Sequence, residues 1–373
     1  MSTATRLADE VRRIGRESGL DRVGICDAAP FTETRRVIEE RRERGLSGGM
    51  QFTYRNPARS TDPSATVPDA RALVVGARSY RRVPPEPGGD TPGPHARVAR
   101  YSWIDHYEPL RRALGAMAER LADDGWKARV LADDNALVDR AAAARAGIGW
   151  YGKNANLLIP GAGSWFVLGS VVTNAPIAPA RIVPAVPDGC GTCRRCIGDC
   201  PTGALVGPGE LDARRCLAWL LQAPGVFPLE YRPALGDRLY GCDECQERCP
   251  VNRRAERSSS AAPAEAGTQD RLAVLEVLGS GDAELQALVG RWYIPGRELR
   301  YVRRNALVVL GNTGRADDPA VLATLRRFLA DPDPLLRAHA VWAAGRVGRP
   351  ELASTLADDG DPLVRAEMEL LGR

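Results

Sequence analysis

The sequence predicts a multidomain chain of α+β class, and three observations carry that expectation. Helical and strand patterns alternate over about the first 180 residues, eight of nine cysteines lie between Cys190 and Cys249, and a helical pattern recurs after residue 300. At 373 residues the chain exceeds one ordinary domain of about 100–200 residues. Hydrophobic content of 44% and charged content of 26% are those of a globular protein. No run approaches the ~18 apolar residues of a membrane helix, so no membrane is expected as a partner. The start Met1-Ser2-Thr3-Ala4-Thr5-Arg6 lacks a positive-then-apolar export pattern, so a cytoplasmic location is expected. The net charge of +4 is too small for a global nucleic-acid assignment, and Lys127 and Lys153 are the only lysines among many arginines.

In the first unit, Leu7, Val11, Ile14 and Leu20 mark a helix face and Val23-Gly24-Ile25-Cys26 the strand after it. Ala72-Leu73-Val74-Val75-Gly76-Ala77 has the length of a buried strand, and Pro84 to Pro94 reads as a surface loop. Leu110 to Leu121 has helical spacing. Val130-Leu131 is a short strand ending at Ala132-Asp133-Asp134-Asn135, followed by a helix over Ala136 to Ala146 that Gly147 stops. Trp165 to Val172 is a further strand. The alternation makes this an α/β unit, taken as residues 1–180.

Cysteines dominate residues 181–257, the second unit, and Ser, Ala, Pro and Gly mark 258–270 as a linker. In the third unit, 271–373, Val302-Arg303-Arg304-Asn305-Ala306-Leu307-Val308-Val309-Leu310-Gly311 recurs as Leu336 to Gly345, and more faintly from Val364. With Asp-Pro at Asp318-Pro319, Asp333-Pro334 and Asp361-Pro362, the echo predicts HEAT-like α-helical repeats. A plain helical bundle is the alternative.

Cys190-x2-Cys193-x2-Cys196-x3-Cys200-Pro201 is a ferredoxin-like run, in which three thiolates wrap one cluster and the fourth reaches another. Cys216 with Cys242-x2-Cys245-x3-Cys249-Pro250 supplies the second run, its first ligand displaced upstream. The pairing predicts two 4Fe-4S clusters, one on Cys190, Cys193, Cys196 and Cys249, the other on Cys200, Cys216, Cys242 and Cys245. Zinc on paired C-x2-C motifs is the alternative, and it leaves the two x3-Cys-Pro endings without a reason. Cys26, in an apolar strand, reads as a small buried hydrophobe.

Clusters pass electrons singly, so the substrate chemistry needs a further cofactor or partner. No G-x-G-x-x-G follows a strand and no phosphate loop is present, so nicotinamide and ATP are unsupported. His95, His106 and His339 are the only histidines, which leaves haem or a histidine-ligated corrinoid little to draw on, and the D-x-H-x-x-G cobalamin pattern is absent. Asp133-Asp134-Asn135, between strand and helix, is the polar knot of the first unit. It reads either as a general-acid site or as a helix cap. Gly147-Ile148-Gly149-Trp150-Tyr151-Gly152-Lys153-Asn154 is a glycine-rich loop with a polar end, or a helix C-cap and turn.

The chain also resembles the epoxyqueuosine reductase family, cobalamin-dependent iron-sulfur enzymes that complete queuosine synthesis at the tRNA wobble position. The resemblance spans nearly the whole chain. It is carried by Asn56-Pro57 with Arg59 and Asp62-Pro63, Asp133 six residues before Asp139-Arg140, Arg145 to Trp150 through Lys153-Asn154, and Gly163 to Gly169. It continues through Cys190 to Ala204, Leu211 to Cys216, Tyr240 to Gln246, Cys249-Pro250-x-Asn252, Arg304-Asn305-Ala306 and Gly311-Asn312. The chain departs from the family at Trp103-Ile104-Asp105-His106-Tyr107, at Leu217 to Gln222 and at Ser170.

The resemblance implies that the clusters reduce cobalamin, that the reduced cobalt acts on the epoxide of the modified base, and that an aspartate donates the proton. By motif position the donor is Asp133, with Asp134 as fallback. Arg59, Asp133, Lys153, Asn154, Leu157, Cys242 and Asp243 would contact cobalamin, which the family holds without an axial histidine. His106 and Tyr107 would face the substrate. Arg297, Arg300, Arg303 and Arg304, with Arg291 close by and a single acid, Glu298, among them, would grip tRNA carrying epoxyqueuosine through its phosphates. The implied partners are that tRNA and a low-potential electron donor, and the implied state is a monomer. Two other functions stay open at this point: a corrinoid iron-sulfur reductase of a small molecule, related to the reductive dehalogenases, and a non-catalytic electron-transfer module.

Overall fold

The computed structural model describes residues 2–85, 93–179, 183–258, 261–265 and 267–372. In chain order the first half contains helix α1 (Thr3–Glu17), strand β1 (Arg22–Asp27), α2 (Thr32–Glu43), β2 (Ala72–Ser79), β3 (His95–Val98), α3 (Tyr107–Asp123), β4 (Ala128–Ala132), α4 (Asp139–Arg145) and β5 (Phe166–Thr173). The second half contributes β6 (Arg238–Tyr240), β7 (Arg271–Ala273), α5 (Val274–Gly279), α6 (Asp282–Val289), α7 (Arg300–Thr313), α8 (Pro319–Leu329), α9 (Pro334–Val347) and α10 (Pro362–Leu371). Between them lie a nine-residue helix, Pro250–Ser258, short helical turns, and strands of two or three residues.

These elements form two compact units, each built from separated segments. One comprises Met1–Val83, Asp105–Arg214 and Glu244–Pro263, the other Pro84–Ile104, Arg215–Asp243 and Ala264–Arg373. The cut differs from the consecutive parts read from the sequence, because Cys216 and Cys242 fall in the second unit and the remaining six expected ligands in the first. Parts of the expected Pro84–Pro94 loop (86–92), of the boundary at 180 (180–182) and of the 258–270 linker (259–260 and 266) lie outside the described residues.

The first unit is organised by a four-stranded sheet in the order β1-β2-β5-β4, every neighbouring pair antiparallel. Helix and strand alternate as the sequence predicts, yet no neighbouring pair within this sheet is parallel. Because side chains alternate across a strand, the register sorts the two faces. Val75, Ser170 and Leu131 share one face with Ala142, Ala146 and Ile148 of the α4 region. On the other face a Cβ at Gly76 would meet Leu20 and Leu114, one at Gly169 would meet Leu114, and one at Gly15 of α1 would meet Val23, the partner of Gly76, so α1 and α3 cover it. Both faces are buried, which is why β2 and β5 read as continuous apolar runs.

Where β4 ends, the structure departs from the helix expected over Ala136 to Ala146. Asp133 takes a left-handed φ of 55°, Asp134 Oδ1 accepts the Ala136 N–H at 2.8 Å, and the helix begins only at Asp139. Asp134 therefore makes a local Asx turn rather than the helix cap, and Val138 occupies the cap position without a side-chain bond. Cys26 is buried as expected, and burial pushes its thiol up to about 12.

The second unit joins a small sheet, with β3 between parallel β6 and antiparallel β7, to helices α5 to α10. Ala96, Phe227, Val277, Leu307 and Val341 belong to its core. The Asp-Pro punctuation is explained directly. Asp318, Asp333 and Asp361 cap α8, α9 and α10, each accepting a backbone N–H, and the following proline fills the first helical position, where no donor is needed. Among the described residues no helix is long and apolar enough to cross a membrane.

Candidate active site and cluster ligands

Cys190, Cys193, Cys196 and Cys249 are brought together in the first unit. Asp188 Oδ1 accepts the Cys190 N–H at 2.8 Å and Cys193 N–H donates to Cys190 O at 2.9 Å, which turns the chain tightly around the first two ligands. Burial, and then the neighbouring Cys249, Cys190 and Cys193, push the Cys196 thiol up to about 11. Burial likewise raises Cys249, while the backbone N–H groups of Asn252 and Val251 oppose the shift. The raised Cys196 and Cys249, with Cys190 and Cys193 beside them, form a site that a cationic centre would relieve. Trp150, Leu158, Val186 and Val251 make an apolar shell around Cys190 and Cys249. No cysteine is in a disulfide. Among the described residues, no three His, Cys, Asp or Glu side chains are arranged for a single metal ion.

The sulfur of Cys200 accepts the Ala204 N–H at 3.3 Å and lies 3.9 Å from the Thr202 hydroxyl. Cys245 is approached by Asn156 Nδ2, 3.9 Å from its sulfur, and by Asn154 Nδ2, 3.3 Å from its carbonyl oxygen. In the second unit Cys216 starts the short helix Leu217–Leu220, Cys242 lies against the core, and Asp243 Oδ2 accepts the Arg100 N–H at 2.7 Å.

Two cavities of the first unit share Phe52, Asp139 and Arg140. The larger, about 610 Å³, runs along one face of α2, where Glu33, Val37, Ile38 and Arg41 recur at helical spacing, to Tyr151 and Lys153. The smaller, about 300 Å³, is lined by Tyr80, Tyr107, Asp133, Asn156 and Ser164 among others.

Both carboxylates there hold protons more tightly than usual. Burial raises Asp133, with Asp134 adding to the shift and Arg111 opposing it. Burial raises Asp139 well above the ordinary range, and Asp133 raises it further against the pull of Arg140. Asp133 is nonetheless exposed and Asp139 half-exposed to a water-sized probe. The two facts agree for groups on the wall of a deep cavity, which water enters but bulk solvent does not surround. Tyr107 and Tyr151 behave alike, each with a phenol raised chiefly by burial.

Of the other expected contacts, Lys153 lines the larger cavity and donates from Nζ to Gly191 O at 2.5 Å, beside the first cysteine turn. Leu157 lines the smaller cavity, and Asn154 is buried and lines neither. Tyr107 faces the smaller cavity, whereas His106 is buried with its ring 5.7 Å from that of Tyr80. Arg59 sits in the helical turn Pro57–Ser60, capped by Asn56, and lines neither cavity. The sequence used Asp139 only to fix the register of Asp133. It passed over Phe52 and Tyr80, and took in Asn156 only as part of the loop Lys153 to Leu157 expected at the cobalamin. Asn156 follows Asn154 at a spacing of two, just beyond the glycine-rich loop, a signal that could have been followed.

The arginine group is corrected by the structure. Arg304 is fully buried, donating to Leu220 O, Ala223 O, Gly225 O and Asn305 Oδ1, so it holds the second unit together and has no surface to offer a phosphate. Burial pushes its pKa down to about 9, still charged at neutral pH. Arg303 pairs with Asp282 at 2.7 Å and donates to Ser280 O, and Arg291 donates to Ser102 O. Arg300 pairs with Glu298 at 2.7 Å and remains 42% exposed, and Arg297 is exposed. The acids around this group therefore include Asp282 as well as Glu298.

Residues 189–252 match the family model of a 4Fe-4S double cluster binding domain, and residues 296–371 that of HEAT repeats. The chain is similar to an epoxyqueuosine reductase of Bacillus cereus, 31% identical over 92% of this chain and 90% of the relative. It is similar to one of Pseudomonas aeruginosa, 34% identical over 92% and 95%. Among solved structures, an epoxyqueuosine reductase with a tRNA-Tyr epoxyqueuosine-modified stem loop matches with a TM-score of 0.88 at 29% identity, over 100% of both chains. The Bacillus subtilis enzyme, solved with its catalytic aspartate loop swung out of the active site, matches with 0.87 at 28% identity over 99% of each.

Proposed function

Because the chain belongs to the epoxyqueuosine reductase family, we infer that Asp133 is the proton donor of its reaction, the reduction of epoxyqueuosine to queuosine. The enzyme is an oxidoreductase, and its cofactors are two 4Fe-4S clusters and cobalamin. The observation that carries the role of Asp133 is its place in a cavity wall, at a left-handed backbone position and with a raised pKa.

Removing the epoxide oxygen as water consumes two electrons and two protons and leaves a carbon–carbon double bond. Bound cobalamin supplies the reduced cobalt from which those electrons reach the substrate. The larger cavity suits such a group, with Val37, Ile38, Leu46 and Leu137 for an apolar ring and Arg41, Arg140 and Lys153 for a polar rim. Lys153, Asn154 and Leu157 would hold it. The contacts of Arg59, Cys242 and Asp243 belong to the same proposal on the resemblance alone.

Burial disfavours the Asp133 anion and so favours the form that carries a proton, and Asp133 in turn disfavours ionisation of Asp139 on the same wall. As the oxygen leaves, Asp133 delivers that proton and Tyr107 orients the base beside it. Cys190, Cys193, Cys196 and Cys249 hold one cluster, and Cys200, Cys216, Cys242 and Cys245 the other. The substrate is the modified base within tRNA, as in the relative solved with its stem loop. Exposed Arg297 and Arg300 serve as phosphate contacts. The division into residues 1–180, 181–257, 258–270 and 271–373 is kept as a division of roles. The enzyme works as a cytoplasmic monomer fed by a low-potential donor.

The test is anaerobic reconstitution with iron, sulfide and cobalamin, then incubation with epoxyqueuosine-bearing tRNA and a low-potential reductant. Queuosine is the expected product. No conversion with both clusters intact overturns the reading.

A further inference from the structure

We propose that Asn156 tunes the reduction potential of the cluster ligated by Cys245, donating a side-chain N–H to that sulfur from the wall of the cavity containing Asp133. The inference rests on the assignment of Cys245 as a cluster ligand.

The geometry comes from one tight loop. Asn156 Nδ2 is 3.9 Å from Cys245 Sγ, and Asn154 Nδ2 donates to Cys245 O at 3.3 Å, so two amides two residues apart converge on one cysteine. Asn156 also lines the smaller cavity together with Asp133 and Tyr107.

The loop does not need the Asn156 side chain to keep its shape. Asn156 O accepts the Gly152 N–H at 2.8 Å, Asn156 N–H donates to Asn154 Oδ1 at 3.2 Å, and Ala155 N–H donates to Gly152 O at 3.0 Å. Arg140 Nη1 donates to Ala155 O at 2.5 Å, and Lys153 Nζ to Gly191 O at 2.5 Å. Ala155 is held at φ 61° by these bonds. Among the described residues the second contact of the Asn156 amide nitrogen is a long one, 3.5 Å to Asn154 O, so the amide is oriented toward sulfur by a loop that is already fixed.

An N–H aimed at a cluster-ligating sulfur favours the state with more negative charge on iron and sulfur, which is the reduced state. It therefore raises the potential, and such bonds are among the principal levers a protein has on a cluster. In a partly buried site the effect is larger than in water. The other sulfur donors described above are mostly main-chain groups: Ala204 N–H to Cys200, and Asn252 and Val251 N–H to Cys249. Asn156 is thus a place where one side-chain substitution changes the electrostatics of one cluster and not the path of the chain. It is a positioning residue, acting on electron supply and not on the substrate.

The experiment is a redox titration of the reconstituted full-length protein, followed by electron paramagnetic resonance with iron content measured alongside. Asn156→Leu is expected to move one of the two cluster couples to lower potential and leave the other in place. Asn156→Asp, which adds a negative charge, should move the same couple further, and Asn156→Gln should stay nearest wild type. Potentials unchanged in all three variants, or both couples moving together, overturn the proposal. If Asn156→Leu binds iron poorly, the Gln and Asp variants decide, and equal potentials for those two overturn it. Cys245→Ala separates the premise from the inference. Loss of one cluster signal supports the ligand assignment, and retention of both signals removes the assignment and the proposal with it.

Discussion

Asp133 combines two features that are costly for an ordinary surface residue, a positive φ and a carboxyl that resists ionisation. Asp133→Asn should keep both clusters and the corrin and lose turnover by about 10²–10⁴-fold, the usual contribution of a positioned acid. Spectra of the loaded protein and single-turnover assays check both halves. If Asp134→Asn is the inactive variant instead, the register of the assignment is wrong. Because Asp133 donates only while protonated, turnover should fall as pH rises through its raised pKa. Asp139 makes a second case. Its folded-state pKa lies well above its unfolded value, so its contribution is most favourable below the unfolded carboxyl range and is lost as pH rises through the folded pKa. Asp139→Asn should therefore raise Tm near pH 7.5, by about 2–4 °C per kcal/mol, with the gain fading toward pH 4. A Tm difference independent of pH would contradict this.

Elements whose causes are local could be read in advance. The caps at Asp318, Asp333 and Asp361 need only one carboxylate and the next proline, and the structure places all three where the Asp-Pro pairs stand. Asp333→Ala, which removes the acceptor for Leu335 N–H, should cost about 1 kcal/mol, measurable as a lower urea midpoint with unchanged slope. The β4-to-α4 turn was harder. An alanine-rich run argues for a helix from Ala136, yet the strained Asp133 and the Asx turn at Asp134 delay it to Asp139. Local propensity loses there to the requirement that Asp133 face a cavity. Alternation of strand and helix likewise suggested α/β, whereas the direction of each strand pair is set by partners far along the chain.

At the scale of the molecule, burial decides which arginines are available. Arg304→Ala should destabilise the second unit by about 3–5 kcal/mol, because several carbonyl partners lose their donor inside the core. Arg297→Ala and Arg300→Ala should instead leave Tm nearly unchanged, weaken tRNA binding and each reduce the salt dependence of log K by about 1. Equal thermal losses for all three would refute the distinction. The sequence by itself determined the two-cluster cysteine framework, the capped repeat helices and the family resemblance. Each of these is written in spacings along the chain, where ligand geometry and helix capping act over a few residues. Only the tertiary structure decided that Asp139 and Asn156 share a wall with Asp133, that Asp134 is spent on a turn, and that Arg304 lies inside. Those outcomes depend on which distant segments exclude water from a side chain, and that is not encoded in any short spacing.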